Sequence, residues 1–150
     1  MRILIQRVIS ANVVVDGGVT GAIDHGLLLL VGVTHTDSEA IVDRMADKVV
    51  KLRIFSDEKG LMNRSVVDVD GGILAVSQFT LYADAKGGNR PSYTAAARPE
   101  QASPAFDRFV SKLAATLGKP VSTGVFGADM KVTLVNDGPV TIWLDSENFC

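Results

Sequence analysis

Two short segments of the 150-residue chain concentrate side chains that could take part in chemistry. Ser77 to Asp84 places hydroxyl groups and an amide in a run that otherwise has the pattern of a core strand. Asn136 to Thr141 contains the run Asn-Asp-Gly-Pro. By residue type alone, the first segment is compatible with a half-exposed strand with cross-strand Ser and Thr bonds. The second predicts a tight turn between two strands, whose purpose stays open.

The residues of several common active sites are missing. A Ser-His-Asp triad needs a histidine base, but His25 lies in a predicted turn, His35 precedes a predicted helix, and neither accompanies a Gly-x-Ser-x-Gly pattern. The spacings of zinc enzymes, the Walker A sequence and Gly-x-Gly-x-x-Gly are also absent from the sequence. We therefore expect no metal and no cofactor. The Gly87-Gly88 pair after Lys86 is compatible with a phosphate cradle, but a flexible turn is the simpler interpretation.

The elements that would position these segments begin with strands. Arg2 to Val8 alternates apolar and polar residues, and Val13 to Asp16 runs into Gly17-Gly18, which is typical of a hairpin. Leu27 to Val33 predicts a strand buried on both faces. Later strands are predicted at Ile73 to Leu81, Val121 to Phe126, Met130 to Val135 and Val140 to Leu144.

Two helices complete the predicted fold. Apolar residues recur every four positions from Ile41 to Val49, with an N-cap predicted at Thr36 or Asp37. The second helix covers roughly Gln101 to Leu117 and ends at Gly118. We expect an α+β protein with a mostly antiparallel, partly barrel-like sheet and two packed helices.

Composition narrows the class of protein. The length predicts a single domain over residues 1–150, and 47% apolar residues can form a core. No apolar run approaches the roughly 20 residues of a membrane span, and the N-terminus has no signal-peptide pattern. The lone cysteine, Cys150, predicts an inert thiol and a cytoplasmic setting. The net charge of −2 argues against gripping long stretches of nucleic acid.

The two segments, with Asn89 to Tyr93, resemble signature segments of the bacterial and eukaryotic D-aminoacyl-tRNA deacylase family. The runs Ser-Gln-Phe-Thr-Leu from Ser77 and Asn-x-Gly-Pro-Val-Thr from Asn136 are specific in this order and spacing. The opening Met1 to Val8 and the run Phe126 to Met130 are similar as well. The resemblance extends to about Ser146.

This resemblance implies an enzyme that hydrolyses the ester joining a D-amino acid to the 3′ end of tRNA. It further implies a homodimer in which the Gly138-Pro139 pair, joined by a cis bond, enters the partner's site. Main-chain atoms of that pair would hold the substrate's amino group and exclude L side chains. The resemblance places Ser77, Gln78, Phe79 and Thr80 around the ester and the terminal adenosine. The same resemblance implies that Met130 is a further substrate contact.

Two mechanisms are compatible with the motif. Thr80 could attack the ester, although the motif contains no histidine or lysine that would activate it. Alternatively, the site positions the ester and donates backbone N–H groups to the oxyanion, while the ribose 2′-hydroxyl assists water. The missing base favours the second mechanism. A non-catalytic module that binds an RNA end or a small ligand, and a structural oligomer, are the alternatives from other classes.

Overall fold

A computed structural model of the chain describes residues 1–148, so the prediction about Cys150 lies outside the described residues. Eight strands and two α-helices follow one another within that range. In chain order they are β1 (Arg2–Val15), β2 (Gly18–Ile23), β3 (Gly26–Gly32), α1 (Glu39–Lys51), β4 (Phe55–Ser56), β5 (Met62–Arg64), β6 (Gly72–Ser77), α2 (Pro99–Leu117), β7 (Ser122–Thr123) and β8 (Lys131–Asp145). Short 3-10 helices span Phe79–Tyr82 and Ser146–Asn148.

The main sheet is mixed and almost closes on itself. Its order is β2-β1-β3-β6-β7, and β8 pairs with the free side of β1. Strand β1 is antiparallel to β2, β3 and β8, whereas β3, β6 and β7 run parallel to one another. The Ser122 hydroxyl donates to the Ala22 carbonyl at 3.2 Å and brings β7 close to β2. The predicted α+β class with a barrel-like sheet is confirmed. Helical crossovers make part of it parallel.

The hairpin between β1 and β2 confirms the prediction made from its glycines. Val15 pairs with Gly18, which leaves a two-residue turn. Asp16 and Gly17 both have positive φ, at 49° and 78°. A two-residue turn of this kind needs positive φ at both positions, and its twist matches that of the strands.

Both helices pack side by side on one face of the sheet. Helix α1 begins after Ser38, whose hydroxyl accepts from the Ile41 N–H at 3.3 Å. The predicted cap at Thr36 or Asp37 is therefore wrong, because Asp37 instead pairs with the buried Met1 amino group. Arg108 of α2 donates two bonds of 2.8 Å to Asp43 of α1. Within residues 1–148, neither helix is long and apolar enough to cross a bilayer.

The core lies on both faces of β3, as its continuous apolar sequence predicts. Leu27, Leu29 and Val31 face the helices, and Leu28 faces the barrel interior. On the helix side they pack against buried residues that include Met45, Val49, Phe106, Phe109 and Leu113. On the interior side the cluster comprises Val8, Ala11, Val13, Leu28, Leu74 and Val76. Burial of this apolar surface is the main driving force for the fold.

Three predicted elements differ in the structure. The strand predicted from Ile73 to Leu81 ends at Ser77, because the chain turns into the 3-10 helix Phe79–Tyr82. The Leu81 N–H bonds the Gln78 carbonyl within that helix, at 3.2 Å. The turn predicted at Asn136 to Pro139 is also wrong, since β8 runs through it without a break. The strand predicted from Val121 to Phe126 is reduced to β7.

Candidate active site

A pocket of about 530 Å³ opens where β6 ends and beside the first turns of α2. Its walls are largely apolar, with few polar side chains, as is usual for small-ligand sites. The lining residues from the sheet and helix α2 are Val31, Val76, Val132, Pro99, Ala102 and Phe106. The remainder comes from the end of β6 and from connecting segments: Val33, Ser77, Gln78, Phe79, Tyr93, Ala96, Ala97, Phe126, Gly127, Ala128, Asp129 and Met130.

The end of β6 supplies the polar rim of the pocket. Ser77 is the last residue paired with β3, opposite Val31. The Gln78 N–H still bonds the Val31 carbonyl at 2.7 Å, and then the chain leaves the sheet. This change of direction turns Ser77, Gln78 and Phe79 toward the same cavity. Strand termination therefore brings together side chains that a continuing strand would point to opposite faces.

Phe79 presents its ring at the pocket mouth. The side chain is 57% exposed, which is unusual for a large aromatic residue at a rigid position. Its ring forms an edge-to-face pair with the ring of Tyr93, with centroids 5.1 Å apart and an angle of 74° between the ring planes. Such an edge-to-face pair holds both rings in place while leaving a face of Phe79 open.

Thr80 lies behind the rim, and its side chain is not part of the pocket lining. Its hydroxyl accepts a hydrogen bond from the Gln78 side-chain amide. No histidine, lysine or carboxylate of residues 1–148 bonds that hydroxyl. The structure thus provides a positioned hydroxyl without a base to remove its proton.

Met130 closes the opposite wall. It follows the loop from Phe126 to Asp129, and its thioether packs over Gly124, where a Cβ would collide with its sulfur atom. Phe126 in this loop also contacts Phe106 of α2, with ring centroids 6.4 Å apart. The structure brings Met130 into one pocket with Ser77, Gln78 and Phe79 although about 50 residues separate them.

The segment Asn136 to Thr141 forms a wide bulge in β8. Thr141 pairs with Gln6 and Asn136 pairs with Val8, so six residues of β8 lie opposite three of β1. The Asn136 side chain closes the bulge at its base. Its Oδ1 accepts from the Val140 N–H at 2.9 Å, and its Nδ2 donates to the Thr141 hydroxyl at 3.0 Å. Bulges of this kind re-aim a strand segment at specific sites.

Arg7 of β1 fixes the other side of the bulge. Its Nε donates to the Asp137 carbonyl at 3.2 Å and lies 3.3 Å from the Asp137 carboxylate. Its Nη1 donates to the Ile54 carbonyl at 2.7 Å, and the side chain is only 11% exposed. A buried, triply engaged guanidinium is a rigid support, because its planar donors hold fixed directions.

Gly138 and Pro139 stand at the exposed tip of this bulge, joined by a cis peptide bond. Gly138 has φ = 128°, a conformation that L side chains rarely adopt. A Cβ there would lie 2.8 Å from Val140 Cγ2 and 3.2 Å from Arg7 Nη2. The pair is absent from the lining of the pocket in its own chain. The structure therefore does not bring together all seven predicted site residues.

The pocket contains little titratable chemistry. Among its lining residues only Tyr93 and Asp129 ionise, and Asp129 is paired with Lys131 at 3.1 Å. The two histidines bond backbone carbonyls elsewhere: His25 that of Val69 at 3.0 Å and His35 that of Thr94 at 2.8 Å. No cluster of metal-binding side chains occurs within residues 1–148.

Tyr82, at the end of the 3-10 helix, supports the rim from behind. Burial raises the pKa of its phenol far above the usual range, and the carboxylates of Asp37 and Asp145 act in the same direction. The Arg2 guanidinium lies 4.4 Å from the centre of its ring and donates to the Leu81 carbonyl at 2.9 Å. The helix that carries Phe79 and Thr80 is thereby tied to the start of β1.

Sequence reasoning missed several residues of the site. Phe106 was expected only as part of the second helix, and Phe126 only as part of a strand and of the run that resembles the family, but both line the pocket. Arg7 was noted only as part of the N-terminal run Met1 to Val8, and no role was predicted for it. An isolated arginine in an apolar strand was the available signal, since a buried guanidinium needs partners.

Comparisons of this chain's sequence and of its fold with known proteins give consistent results. Residues 4–145 match the family model described as D-Tyr-tRNA(Tyr) deacylase. The D-aminoacyl-tRNA deacylase of Dechloromonas aromatica (strain RCB) is 60% identical over 147 residues, 98% of each chain. That of Chromobacterium violaceum is 60% identical over 148 residues, 99% of each chain.

Solved structures show the same architecture. The c-Myc DNA Unwinding Element Binding Protein superposes with a TM-score of 0.91 at 39% identity, covering 97% of this chain and 98% of that one. A probable eukaryotic D-amino acid tRNA deacylase superposes with a TM-score of 0.82 over 95% of this chain and 97% of its own. At 15% identity the latter shows the fold alone. The family model and the relatives with 60% identity cover almost the whole chain. The chain therefore belongs to the D-Tyr-tRNA(Tyr) deacylase family.

Proposed function

We propose that the protein hydrolyses the ester bond of D-aminoacyl-tRNA, releasing a free D-amino acid and tRNA. The observation that carries the proposal is the pocket formed by Ser77, Gln78, Phe79 and Met130, in a chain 60% identical to named D-aminoacyl-tRNA deacylases. A pocket of about 530 Å³ suits one nucleoside with a small acyl group rather than a long nucleic acid. The substrate is then the aminoacylated 3′ end of tRNA, in the cytoplasm, with no membrane, DNA or cofactor involved.

Phe79 is proposed to carry the base of the terminal adenosine. Its exposed ring, held by Tyr93, offers an aromatic face at the pocket mouth. Stacking of a base on such a face contributes roughly 1–3 kcal/mol. This contact needs no basic surface, which agrees with the net charge of −2.

The site is proposed to be completed by the Gly138-Pro139 pair of a second subunit. The pair is exposed, rigidly supported by Arg7 and Asn136, and absent from its own pocket. Exposed apolar side chains on the same β1–β8 ribbon, among them Ile9, Val135 and Trp143, suit a contact between subunits. Sedimentation at micromolar concentration should show a homodimer, and a fully active monomer would refute the cross-subunit arrangement.

Exclusion of L-amino acids would follow from main-chain atoms that occupy the space of an L side chain. Gly138 allows close approach because it has no Cβ. A backbone sensor reads only the substituents at the substrate's Cα and so accepts many D-amino acids. Glycine has no substituent there, so glycyl-tRNA is also proposed as a substrate.

The chemistry is proposed to rest on positioning rather than on a protein nucleophile. Thr80 bonds Gln78 and has no basic partner, so attack by its hydroxyl lacks an acceptor for the proton. Backbone N–H groups where the chain leaves β6 would stabilise the oxyanion while the ribose 2′-hydroxyl assists water. Trapping an acyl-enzyme on Thr80 would contradict this mechanism.

The test compares deacylation of D-alanyl-, glycyl- and L-alanyl-tRNA at equal enzyme concentration. We expect rapid loss of the first two and near-background loss of the third. A clash should discriminate by more than the roughly 1–3 kcal/mol of one methyl group in a yielding pocket. If glycyl-tRNA resists as L-alanyl-tRNA does, the D side chain is recognised positively and the exclusion account is wrong. If all three decay at the uncatalysed rate, the protein is instead a module that binds an RNA end.

A further inference from the structure

The loop between Asp84 and Ser92 is closed by backbone pairing at its two ends. Its exposed tip carries two positively charged side chains. Asp84 and Ser92 pair through two backbone hydrogen bonds of 2.8 Å. Between them, Ala85 to Arg90 is exposed, and a Cβ added at Gly87 or Gly88 would meet no atom within 4 Å. The fold therefore does not need this tip for packing.

The closed end of the loop, at Asp84 and Ser92, lies next in the chain to residues of the pocket mouth. Tyr93, directly after Ser92, lines the pocket and holds the exposed ring of Phe79. The chain enters the loop just after the 3-10 helix Phe79–Tyr82, which carries Phe79 of the same mouth. A nucleotide strand whose last base stacks on Phe79 would have this loop at the rim that it crosses.

Lys86 and Arg90 bring the charge. Within residues 1–148 neither side chain has an ion-pair or hydrogen-bond partner, a condition shared only by Lys51 and Lys59. The other cations near the mouth are paired, Lys131 with Asp129 at 3.1 Å and Arg98 with Glu100 at 3.8 Å. The Asp84 carboxylate is also engaged, since it accepts from the Lys86 N–H at 2.9 Å.

We propose that the loop Ala85 to Arg90 binds internucleotide phosphates of the single-stranded 3′ end of tRNA, with Lys86 and Arg90 as the contacting side chains. The proposal rests on the proposed function, because it assumes that the terminal adenosine occupies the pocket. Arg90 can engage a phosphate through two parallel N–H bonds, whereas Lys86 acts as a point charge. Gly87 has no side chain to cover its own backbone N–H, which can donate to the same anion, whereas the Gly88 N–H bonds the Ala85 carbonyl at 3.5 Å.

Two phosphate contacts explain how a protein with a net charge of −2 engages RNA. Only a small cationic footprint is needed at a chain end, because affinity from phosphates depends on the number neutralised. For single strands, each contact contributes about 0.7 to the slope of log K against log salt concentration. Lys86 and Arg90 together should therefore account for a slope of about 1.4.

The experiment measures binding of the uncharged oligonucleotide ACCA and of adenosine to four proteins. These are the wild type, Lys86→Ala/Arg90→Ala, Arg90→Lys, and the control Lys51→Ala. Lys51 is also exposed and unpartnered within residues 1–148. It ends α1 at the opposite end of the helix pair from Pro99, since Asp43 faces Arg108 and Asp47 faces Lys112. Each replacement of a lysine or arginine by alanine removes one positive charge, so the control tests whether the position of the lost charge matters.

We expect the double variant to lose about tenfold in affinity for ACCA and about 1.4 in salt slope, with its affinity for adenosine unchanged. Arg90→Lys keeps both positive charges and should lose less affinity than the double variant, and Lys51→Ala should bind as the wild type. Unchanged ACCA binding in the double variant, or an equal loss for adenosine, would overturn the proposal. This binding experiment does not depend on hydrolysis. If the wild type is inactive in the deacylation test but binds ACCA as expected, the proposed function is refuted and this inference stands.

Discussion

Replacement of Gly138 by alanine tests whether the tip of the β8 bulge takes part in the reaction. The added Cβ would lie 2.8 Å from Val140 Cγ2, 3.1 Å from the Val140 nitrogen and 3.2 Å from Arg7 Nη2. Val140 is buried in the core, and Arg7 is held by two carbonyls, so neither can yield freely. The bulge tip itself is exposed and must move instead.

The effect on stability should be moderate. A non-glycine residue at φ = 128° costs about 1–3 kcal/mol. For a chain of 150 residues each kcal/mol lowers Tm by roughly 2–4 °C, so we expect a decrease of about 2–12 °C. The fold should survive, because the strain is relieved at the surface rather than in the core.

The effect on activity should be larger. A displacement of about 1 Å in a positioning group can lower a rate by roughly 100-fold. We therefore expect kcat/KM for D-alanyl-tRNA to fall by about 100-fold, and the preference for D-alanyl- over L-alanyl-tRNA to decrease. Single-turnover deacylation and calorimetry of the same preparations measure the two quantities.

Gly60→Ala serves as the matched control. Gly60 also has a positive φ, 79°, but a Cβ there would meet no atom within 4 Å. It lies in the turn between β4 and β5, outside the pocket. This variant should lose about 1 kcal/mol of stability and retain wild-type kcat/KM. If Gly138→Ala shows a lower Tm but keeps kcat/KM within threefold and full rejection of L-alanyl-tRNA, the bulge is only structural.

Further substitutions address the parts of the site separately. Thr80→Ser and Thr80→Ala should both retain measurable deacylation, because the hydroxyl positions and does not attack; complete inactivity of the alanine variant argues for a nucleophile. Phe79→Ala should raise KM for D-alanyl-tRNA by about 5- to 150-fold, with recovery in Phe79→Tyr, as expected for a lost stacking face. Asn136→Ala removes two hydrogen bonds and should lower the free energy of unfolding by about 1–3 kcal/mol in urea titration, with Asn136→Asp intermediate because it keeps the acceptor for the Val140 N–H. His35→Ala should keep kcat/KM within twofold, since its ring bonds a backbone carbonyl outside the pocket; a 100-fold loss would reveal a missing base.

Local patterns were sufficient for much of the fold. Alternation in β1, the apolar run of β3 and the Asp16-Gly17 turn each identify their structure from neighbouring residues alone. The helix Pro99–Leu117 was predicted within two residues of its start. These features are determined by side chains a few positions apart, which is the range over which periodicity and turn chemistry act.

The site was predicted from two motifs, the runs that begin at Ser77 and at Asn136. The roles of its seven residues stay predictions. The family resemblance implied that Ser77, Gln78, Phe79 and Met130 share a site, and all four line one pocket in the structure. The Gly138-Pro139 pair lies outside that pocket in its own chain, and its entry into a partner's site stays a prediction. Composition alone favoured a turn there, as Asn, Asp, Gly and Pro do elsewhere.

Only the tertiary structure decided how the two motifs are shaped. Strand β6 stops at Ser77 because Gln78 makes its last bond to β3, and β8 bulges instead of turning because Asn136 and Arg7 hold its sides. Arg7 and Asp137 are 130 residues apart in the chain. Their contact depends on the pairing register of β1 with β8, which long-range packing selects and which no window of sequence contains.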